Sequence, residues 1–284
     1  MKFVRNNFLL CCAGFFLVSA IILSVVIFSR NADLKIIFLD VGQGDATMIT
    51  TPMGKQILID TGAKGTISQK IAKYMPVSDH SLDMLILTHP DLDHVGGGLS
   101  IINNYEVDVL LHSGLLAGAP MYEAFAERST QLGIPAITAQ AGQKIELEPD
   151  LYLQVMSPYP GLDTMEPNDF SVVMRLVYGD TSALLMGDAT KFIETDMVNM
   201  YGDIIQSDIL KVGHHGSQTS TSEDFVGVVN PQYGVISASC NNNFGHPHGS
   251  VLATLFKAGV EVLGTCEEGD IVFTSNGERF KKNE

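Results

Sequence analysis

The sequence contains few basic residues, which limits what its surface can bind. It has 17 lysines and arginines against 32 aspartates and glutamates, so the formal net charge is −15 at pH 7. Three basic residues and no acidic ones lie within residues 1–30, so residues 31–284 carry −18. Such an acidic surface repels polyanions unless bound metal ions or a local basic patch reverse the field. The composition therefore argues against an extended basic groove.

Cysteine is also scarce, and the sequence lacks internal repeats, low-complexity tracts and long linkers. Cys11 and Cys12 lie early in an apolar run, so we interpret them as membrane-embedded side chains rather than a lipid-attachment signal. Cys240 and Cys266 could form a disulfide in an oxidising compartment, but two unpaired thiols fit the sequence equally well. At 284 residues, 45% of them hydrophobic, the chain is long enough to bury the core of one large domain.

The segment Phe8–Ser29, with the sequence FLLCCAGFFLVSAIILSVVIFS, is strongly apolar and contains no charged side chain. As a helix it is long enough to cross a hydrocarbon core of about 30 Å, and Lys2 and Arg5 before it predict a cytoplasmic N-terminus. We expect residues 1–30 to anchor residues 31–284 to the cell membrane by a single pass, on the extracytoplasmic side. A cleavable signal peptide, which would leave a secreted domain, is the alternative, although SRNAD after the run lacks a small-x-small cleavage pattern.

From residue 34 onward, short β-like segments alternate with helical ones. The predicted strands are LKIIFLD, ATMIT, QILID, MLILT, VDVLL, LYLQVM, FSVVMRLVYG, SALLMG, DILKV, YGVIS and IVFTS. The predicted helices are TISQKIAKYM, MYEAFAERSTQL, ATKFIETDMVNMY, SEDFVGVV and SVLATLFKAG. This alternation predicts a single α/β domain with two sheets covered by helices.

Polar residues gather where the predicted strands end. Asp60 ends QILID, His89 follows MLILT, Asp188 follows SALLMG, and His214 and His215 follow DILKV. Strand ends meet at one edge of a sheet, where loops on a rigid support present functional side chains. We therefore expect distant segments of the chain to build one site.

The densest group of potential metal ligands is THPDLDHVGGG, residues 88–98. Imidazole and carboxylate groups alternate along this turn, in His89, Asp91, Asp93 and His94. We therefore expect them to point to two adjacent metal positions rather than one. Two divalent ions in one site can activate water and polarise a phosphoryl or carbonyl oxygen. The glycines at 96–98 are expected to let the backbone pass close to the ions and to begin the next helix.

The same segment resembles the His-x-His-x-Asp-His signature of the metallo-β-lactamase fold, with Asp91 in place of the second histidine. Together with FLDVGQGDATMI, ILIDTG, LLMGDA, DILKVGHHGS and FGHPHGSVL, it resembles the C-terminal hydrolase domain of ComEC-type DNA-uptake proteins over residues 34–275. The resemblance implies an αββα sandwich of two mixed sheets flanked by helices. In place of the many-helix channel of those proteins, we expect the single N-terminal membrane helix.

The resemblance also implies roles for individual residues. Asp60 would order the metal-binding loop, and Asp188 would bridge two ions. The implied ligands are His89, Asp91, Asp93, His94, Asp188, His214 and His215. Two divalent ions, Zn²⁺ or Mn²⁺, are expected, and Asp91 in place of an imidazole makes the ligand set harder and favours Mn²⁺. No third histidine motif is visible, and the residues about where it would fall are Asn168, Asp169 and Ser171.

Several of these residues also have a purely structural interpretation. Asp60 could simply form a turn, and Asp188 could cap a helix. His214 and His215 cannot both point inward from an extended strand, although a turn relaxes this constraint. We therefore expect one of them to bind metal and its neighbour to contact substrate or another loop.

Other polar residues are candidates for contact with substrate. His246 and His248 flank Pro247 and could face one phosphate or metal ion, whereas His112 is expected to be structural and His80 solvated. Asp45 lies in a glycine-shaped hairpin, where lining the site and forming the turn are equally supported. The expected substrate-binding residues are Asp45, Asn168, Ser171, His246 and His248. The expected catalytic residues are Asp93, His215 and His246.

We therefore expect a membrane-anchored, metal-dependent hydrolase, with a ComEC-type nuclease or phosphodiesterase acting on single-stranded DNA as the leading interpretation. Its expected partners are the membrane, nucleic acid and a DNA-uptake machinery. The acidic surface supports a second interpretation, hydrolysis of a small or cell-envelope phosphodiester, because such a substrate needs no basic groove. An anchored binding module with a vestigial site is the non-enzymatic alternative, and the intact ligand set argues against it.

Overall fold

The computed structural model describes residues 15–19, 32–115, 120–164 and 166–283. Residues 15–19 are helical, and the rest of the predicted membrane segment Phe8–Ser29 lies outside the described residues. Within the described ranges, no helix combines the length and the apolar character needed to cross a bilayer.

The strands of the described residues form two large sheets and one small one. In chain order they are β1 (Leu34–Phe38), β2 (Thr47–Thr50), β3 (Gln56–Ile59), β4 (Ser81–Leu82), β5 (Met84–Leu87), β6 (Glu106–Val107), β7 (Leu110–His112), β8 (Ala136–Thr138), β9 (Lys144–Glu148), β10 (Leu151–Ser157), β11 (Val173–Tyr178), β12 (Thr181–Leu185), β13 (Ile209–Lys211), β14 (Tyr233–Ile236), β15 (Glu261–Gly264), β16 (Ile271–Ser275) and β17 (Phe280–Lys282).

Both large sheets are mixed. The first has the order β17-β16-β1-β2-β3-β5-β7-β8, antiparallel as far as β3 and parallel from β3 to β8. The second has the order β15-β14-β13-β12-β11-β10-β9, parallel from β15 to β12 and antiparallel from β12 to β9. The small sheet pairs β4 with β6.

Helices cover the outer faces of the two large sheets. They are α1 (Ile67–Ile71), α2 (Leu92–Val95), α3 (Gly98–Asn104), α4 (Pro120–Leu132), α5 (Lys191–Tyr201), α6 (Glu223–Val229), α7 (Gly249–Lys257) and α8 (Thr265–Glu268). Short 3₁₀ helices lie at Pro167–Phe170, Gly202–Ile205 and Gly213–Gly216.

Alternation along the strands separates these layers, because successive side chains of a strand face opposite sides of its sheet. In β1, Phe38 packs into the core between the two sheets, whereas Ile37 packs on the outer side with Phe125 of α4. The second sheet is covered in the same way, with Ile193 of α5 and Phe225 of α6 in its outer core. The predicted αββα sandwich of two mixed sheets and flanking helices is therefore confirmed.

Every predicted strand overlaps an observed one, and the differences lie mainly at sheet edges. Strands β4, β8, β9, β15 and β17 were not predicted. In β8 all three side chains are exposed, so no hydrophobic alternation marks it as a strand. The segment VDVLL is divided between β6 and β7, which belong to different sheets. The predicted helix TISQKIAKYM is helical only over Ile67–Ile71.

Candidate metal centre

Segments from both sheets bring the candidate ligands to one place. Asp60 follows β3 and His89 lies just beyond β5, and these two strands are parallel neighbours in the first sheet. Asp188 lies beyond β12, and His214 and His215 lie beyond β13, which is the parallel neighbour of β12 in the second sheet. Parallel neighbours end at the same edge of a sheet, so each sheet contributes its ligands as a group.

Asp188 lies at the centre of this cluster, and its carboxylate faces four histidines. Its Oδ1 is 3.3 Å from His94 Nε2, and its Oδ2 is 3.4 Å from His215 Nε2. The Nε2 atoms of His89 and His214 both lie 3.8 Å from the same Oδ2. One buried carboxylate therefore contacts or closely approaches imidazoles from both sheets.

Two further carboxylates divide the cluster into two groups. Asp91 Oδ2 lies 3.7 Å from His89 Nε2, and Asp93 Oδ2 lies 3.1 Å from His215 Nε2. Because Asp188 approaches all of the histidines, it belongs to both groups, as a bridging carboxylate would. One group is His89 with Asp91 and the other is His215 with Asp93; Asp188 is shared by both, and His94 and His214 approach it as well.

The chemistry of these atoms fits divalent cations. Among the described residues, buried atoms of the cluster that have no hydrogen-bond partner are Nε2 of His89, His94 and His215, and Oδ1 of Asp188. Leaving a buried polar atom unpaired costs about 1–3 kcal/mol, and here such atoms converge on one place. Imidazole and carboxylate donors suit Zn²⁺ and Mn²⁺. The residues present therefore fit the expected metal ions.

Asp60 holds His94 in the orientation that the cluster needs. Asp60 Oδ2 lies 2.8 Å from His94 Nδ1, which leaves His94 Nε2 facing Asp188. Thr88 donates to Asp60 from its backbone nitrogen at 2.8 Å and from its hydroxyl at 2.7 Å. Such carboxylate contacts fix the tautomer and the orientation of a metal-binding imidazole. Asp60 is thus positioned to support the ligands, not to be one.

Asp45 differs from the expectation that it binds substrate. It is buried, with Oδ2 2.7 Å from Lys211 Nζ and Oδ1 3.3 Å from His215 Nδ1. It lies within ligand distance of the cluster, but the buried Lys211, which also donates to Val212 O at 3.0 Å, occupies its carboxylate. Asp45 therefore lies behind His215, out of reach of a substrate. Sequence reasoning missed Lys211, whose only signal was a lone lysine in the apolar strand DILKV.

His214 and His215 both face Asp188 because their backbone is left-handed. Their φ angles are 48° and 55°, within the 3₁₀ helix Gly213–Gly216. Side chains other than glycine rarely adopt this region, and it removes the constraint that an extended strand would impose. Both rings therefore approach Asp188, and the expectation that one of them binds metal while its neighbour contacts substrate or another loop stays a prediction. His215 is buried, whereas His214 stays partly exposed with its Nδ1 3.0 Å from Thr219 Oγ1.

Burial and neighbouring charges set the protonation of the cluster. Burial alone would raise the pKa of Asp188, but the neighbouring His215 and His94 hold it well below its usual value. Burial alone would lower the pKa of His215, but Asp188 raises it to about 10. Burial would also lower the pKa of His94, but Asp188 and Asp60 raise it well above its usual value. Burial, and next His94, lower the pKa of His89 to about 3. These raised pKa values favour protons on His94 and His215 in the metal-free chain, and divalent cations would replace those protons.

The glycines after His94 allow close packing of backbone segments. A Cβ on Gly96 would lie 2.5 Å from Ala63 O, and one on Gly97 would lie 2.4 Å from Thr61 O. They allow α2 and α3 to pack closely on the loop that follows Asp60. As predicted, the next helix begins at these glycines, since α3 starts at Gly98.

Ser171 and Asn168 lie behind the ligands. Ser171 is fully buried, and its hydroxyl accepts a hydrogen bond from the Asp188 backbone nitrogen at 3.1 Å and lies 3.5 Å from His89 Nδ1. Asn168 Nδ2 lies 3.4 Å from His214 Nδ1. The expectation that these two residues bind substrate is corrected, because their contacts are with candidate ligands and their burial closes them to substrate.

Asp169, from the position of the expected third histidine motif, and His112 are engaged elsewhere. The carboxylate of Asp169 accepts hydrogen bonds from the hydroxyls of Thr164 and Thr190. His112 Nδ1 accepts from the Gly114 backbone nitrogen at 3.1 Å, which agrees with the structural role expected for it. The described contacts of Asp169 and His112 thus give neither a place among the ligands.

His246 and His248 are separated by the geometry of their loop. The His246 ring lies 5.5 Å from the His214 ring and 6.3 Å from the His215 ring, measured between centroids. His248 instead caps α7, where its Nδ1 accepts from the Ser250 backbone nitrogen at 3.3 Å. His246 therefore stays a candidate for substrate contact, and His248 has a capping role that sequence reasoning did not anticipate.

The cluster opens into a cleft of about 350 Å³. Its lining consists of Gln43, Ala63, Asp91, Leu92, Asp93, Asp188, His214 and Phe244. The side chains of Leu92 and Phe244 are exposed, and sequence reasoning assigned neither of them. No lysine or arginine lines this cleft in the described part of the chain.

Comparison with known proteins agrees with this geometry. The sequence profile of the Metallo-beta-lactamase superfamily matches residues 39–239. The chain is 31% identical over 262 residues to ComE operon protein 3 of Bacillus subtilis, covering 86% of this chain and 33% of that protein. It is 33% identical over 275 residues to Recombination protein 2 of Haemophilus influenzae, covering 95% and 32%. It is 28% identical over 235 residues to Competence protein ComA of Neisseria gonorrhoeae, covering 82% and 31%.

These relatives confirm the resemblance to ComEC-type proteins. The chain spans about a third of the length of each of them. The similarity therefore concerns about a third of each of these longer relatives.

Proposed function

The chain belongs to the metallo-beta-lactamase superfamily, and from this premise we propose that it is a metal-dependent phosphodiesterase whose substrate is single-stranded DNA. The observation that carries the proposal is the pair of ligand groups that share the carboxylate of Asp188. Two ions side by side are suited to phosphate esters, because they can act on the attacking and the leaving oxygen. The relatives named for competence and recombination favour DNA among the phosphodiesters.

The residues of the two groups, including the shared Asp188, would hold two divalent ions. When bound, the ions would polarise a phosphoryl oxygen and lower the pKa of water. Asp60 and the backbone carbonyl of Ser237, 2.9 Å from His215 Nδ1, would keep the rings of His94 and His215 aimed at the ions. The carboxylate of Asp91 in place of an imidazole favours Mn²⁺ over Zn²⁺.

Two side chains at the cleft are suited to handling protons. Burial would raise the pKa of Asp93, but its contacts with His215 and His94 lower it, so this carboxylate stays ionised and can accept a proton. Burial, and next His214, lower the pKa of His246, so its ring is neutral at pH 7. A neutral imidazole can donate to a phosphate oxygen through one nitrogen and accept a proton through the other. We assign Asp93 and His246 to catalysis on this basis, and His215 because its Nε2 lies 3.1 Å from Asp93 Oδ2.

A second candidate substrate is a small or cell-envelope phosphodiester. It is favoured by the net charge of −18 over residues 31–284 and by a cleft that contains no lysine or arginine among its described lining residues. A vestigial site is disfavoured, because a site that had lost its function would be expected to have lost ligands.

A substrate panel distinguishes these possibilities. The purified full-length chain, supplied with Mn²⁺ or Zn²⁺ separately, would be offered single-stranded DNA, duplex DNA, RNA and bis(p-nitrophenyl) phosphate. We expect Mn²⁺-stimulated cleavage of single-stranded DNA that is faster than that of the duplex. Hydrolysis of the small diester with every nucleic acid left intact would favour the envelope substrate. Hydrolysis of none of them would favour the vestigial site.

We further propose that the domain faces the outside of the cell membrane, anchored by residues 1–30, and that it works with a DNA-uptake machinery. The support is the disulfide between Cys240 and Cys266, since disulfides persist in oxidising compartments. Protease added to intact cells is expected to remove the domain and leave a short membrane stub. Protection until the membrane is breached would show that the domain faces the cytoplasm.

A further inference from the structure

An exposed aromatic ring lies at the mouth of the cleft. The side chain of Phe244 is 68% exposed and lines the cleft together with Leu92, which is 53% exposed. Leaving large apolar side chains in water forgoes about 1.5–3 kcal/mol that burial would contribute. The roles proposed above for the ligands and His246 make no use of Phe244, although it lies in the motif FGHPHGS.

The loop that carries Phe244 is held by its own hydrogen bonds. Asn242 Oδ1 accepts from the backbone nitrogens of Phe244 and His246, both at 3.0 Å. Asn242 Nδ2 donates to the carbonyls of Ser239, at 2.7 Å, and His246. The backbone of Phe244 is therefore fixed from both sides, and its exposure follows from the built geometry of the loop.

A disulfide and a contact across the cleft hold the same loop at its start. Cys240 is bonded to Cys266 in α8, 26 residues further along the chain. The Ser239 backbone nitrogen donates to Gln43 Oε1 at 3.3 Å, and Gln43 also lines the cleft. A ring presented on a fixed loop loses little conformational entropy when it binds a partner.

The ring of Phe244 contacts the ring of His246, which lies next to the candidate ligands. It stacks on His246 with a centroid distance of 5.8 Å and an interplanar angle of 26°. The His246 ring in turn lies 5.5 Å from that of the candidate ligand His214. Phe244 is therefore separated from the metal centre by the ring of His246. This separation suits contact with the nucleotide next to the one whose phosphate is cleaved.

We propose that Phe244 stacks on an unpaired nucleobase of the substrate and thereby selects single-stranded nucleic acid. This inference rests on the proposed nuclease function and adds the source of its affinity. The acidic domain and its cleft without lysine or arginine offer few contacts to phosphates beyond the ions, so binding needs a contact that does not depend on charge. Stacking on an aromatic side chain is such a contact, and it tolerates any sequence. Duplex DNA is disfavoured because its base faces are covered by neighbouring base pairs.

The test compares Phe244→Leu with Phe244→Trp in the full-length chain. The substrates are oligothymidylate and an abasic oligonucleotide of the same length. We expect Phe244→Leu to raise KM for oligothymidylate about ten-fold, within the range of base stacking, and to leave KM for the abasic strand unchanged. Phe244→Trp is expected to keep wild-type KM. The matched control is Phe256→Leu, which changes a ring that is 85% exposed on α7 and does not line the cleft.

Three outcomes would overturn the inference. Equal kinetics of Phe244→Leu and wild type on oligothymidylate would show that the ring does not bind a base. An equal loss on both strands, or a loss of metal, would assign Phe244 a structural role in its loop. If the wild-type chain cleaves no nucleic acid, the proposed function fails together with this inference, whereas the first two outcomes leave the proposed function standing.

Discussion

Replacing Asp188 with asparagine is expected to abolish metal binding and hydrolysis together. Its two carboxylate oxygens approach His89, His94, His214 and His215 at 3.3–3.8 Å, so both ligand groups lose their shared anion. Metal-ion stabilisation is worth several kcal/mol, so turnover should fall about a thousand-fold or more. Elemental analysis of the purified chain should find about two equivalents of Mn²⁺ or Zn²⁺ in the wild type and much less in the variant.

The control for this variant is Asp180→Asn. Asp180 is exposed and directly precedes β12, at the end of this strand opposite to Asp188. The substitution therefore makes the same change of charge away from the site. Metal content and turnover should stay at wild-type values. If Asp188→Asn keeps both metal equivalents and loses only stability, the carboxylate is structural and the two-ion assignment is wrong.

Removing metal is expected to make the stability of the chain depend strongly on pH. Asp188 raises the pKa of His215 to about 10 against burial, and His94 is raised well above its usual value. A histidine whose pKa is higher in the folded state stabilises the fold fully at pH values below its unfolded-state pKa of about 6.5. That contribution is lost as the pH rises through its folded-state pKa. The metal-free chain should therefore lose a few kcal/mol of stability between about pH 6.5 and pH 10.

Bound metal should reverse this trend, because the ions replace the same protons. Thermal unfolding with EDTA should give a Tm that falls as pH rises from 6.5, and the gap between metal-loaded and metal-free Tm should widen. His215→Gln should flatten the metal-free curve, whereas His80→Gln, which changes an exposed histidine, should not. A metal-free Tm that is constant over this pH range would mean that the buried imidazoles do not carry protons.

Most of the ligand set could be predicted from the sequence because ligands have a local chemical signature. His89, Asp91, Asp93 and His94 are ligand-type residues within six positions, and Asp188 directly follows an apolar strand and a glycine. The αββα layers were predictable for a similar reason, since core strands alternate or are wholly apolar. Edge strands such as β8 escaped prediction because their side chains are exposed and leave no such pattern.

The residues behind the ligands could not be predicted in this way. Lys211 belongs to an apolar strand, and its partner Asp45 lies in a hairpin of the other sheet, so only packing of the two sheets brings the pair together at 2.7 Å. Ser171 and Asn168 were expected to face substrate, but the 3₁₀ helix at Pro167–Phe170 and the start of β11 turn them towards the ligands. Contacts between distant segments carry no signal in the spacing of residues.

The sequence by itself determined the class of chemistry, because imidazole and carboxylate groups concentrated in HPDLDH have few uses besides binding metal. It also determined which strands supply the remaining candidates. Tertiary structure decided orientation. The left-handed backbone at His214 and His215 aims both rings at Asp188, and the hydrogen bonds of Asn242 hold Phe244 at the mouth of the cleft. The physical reason is that ligand identity is a property of single side chains, whereas the direction in which a side chain points depends on backbone angles and on partners that only the folded chain supplies.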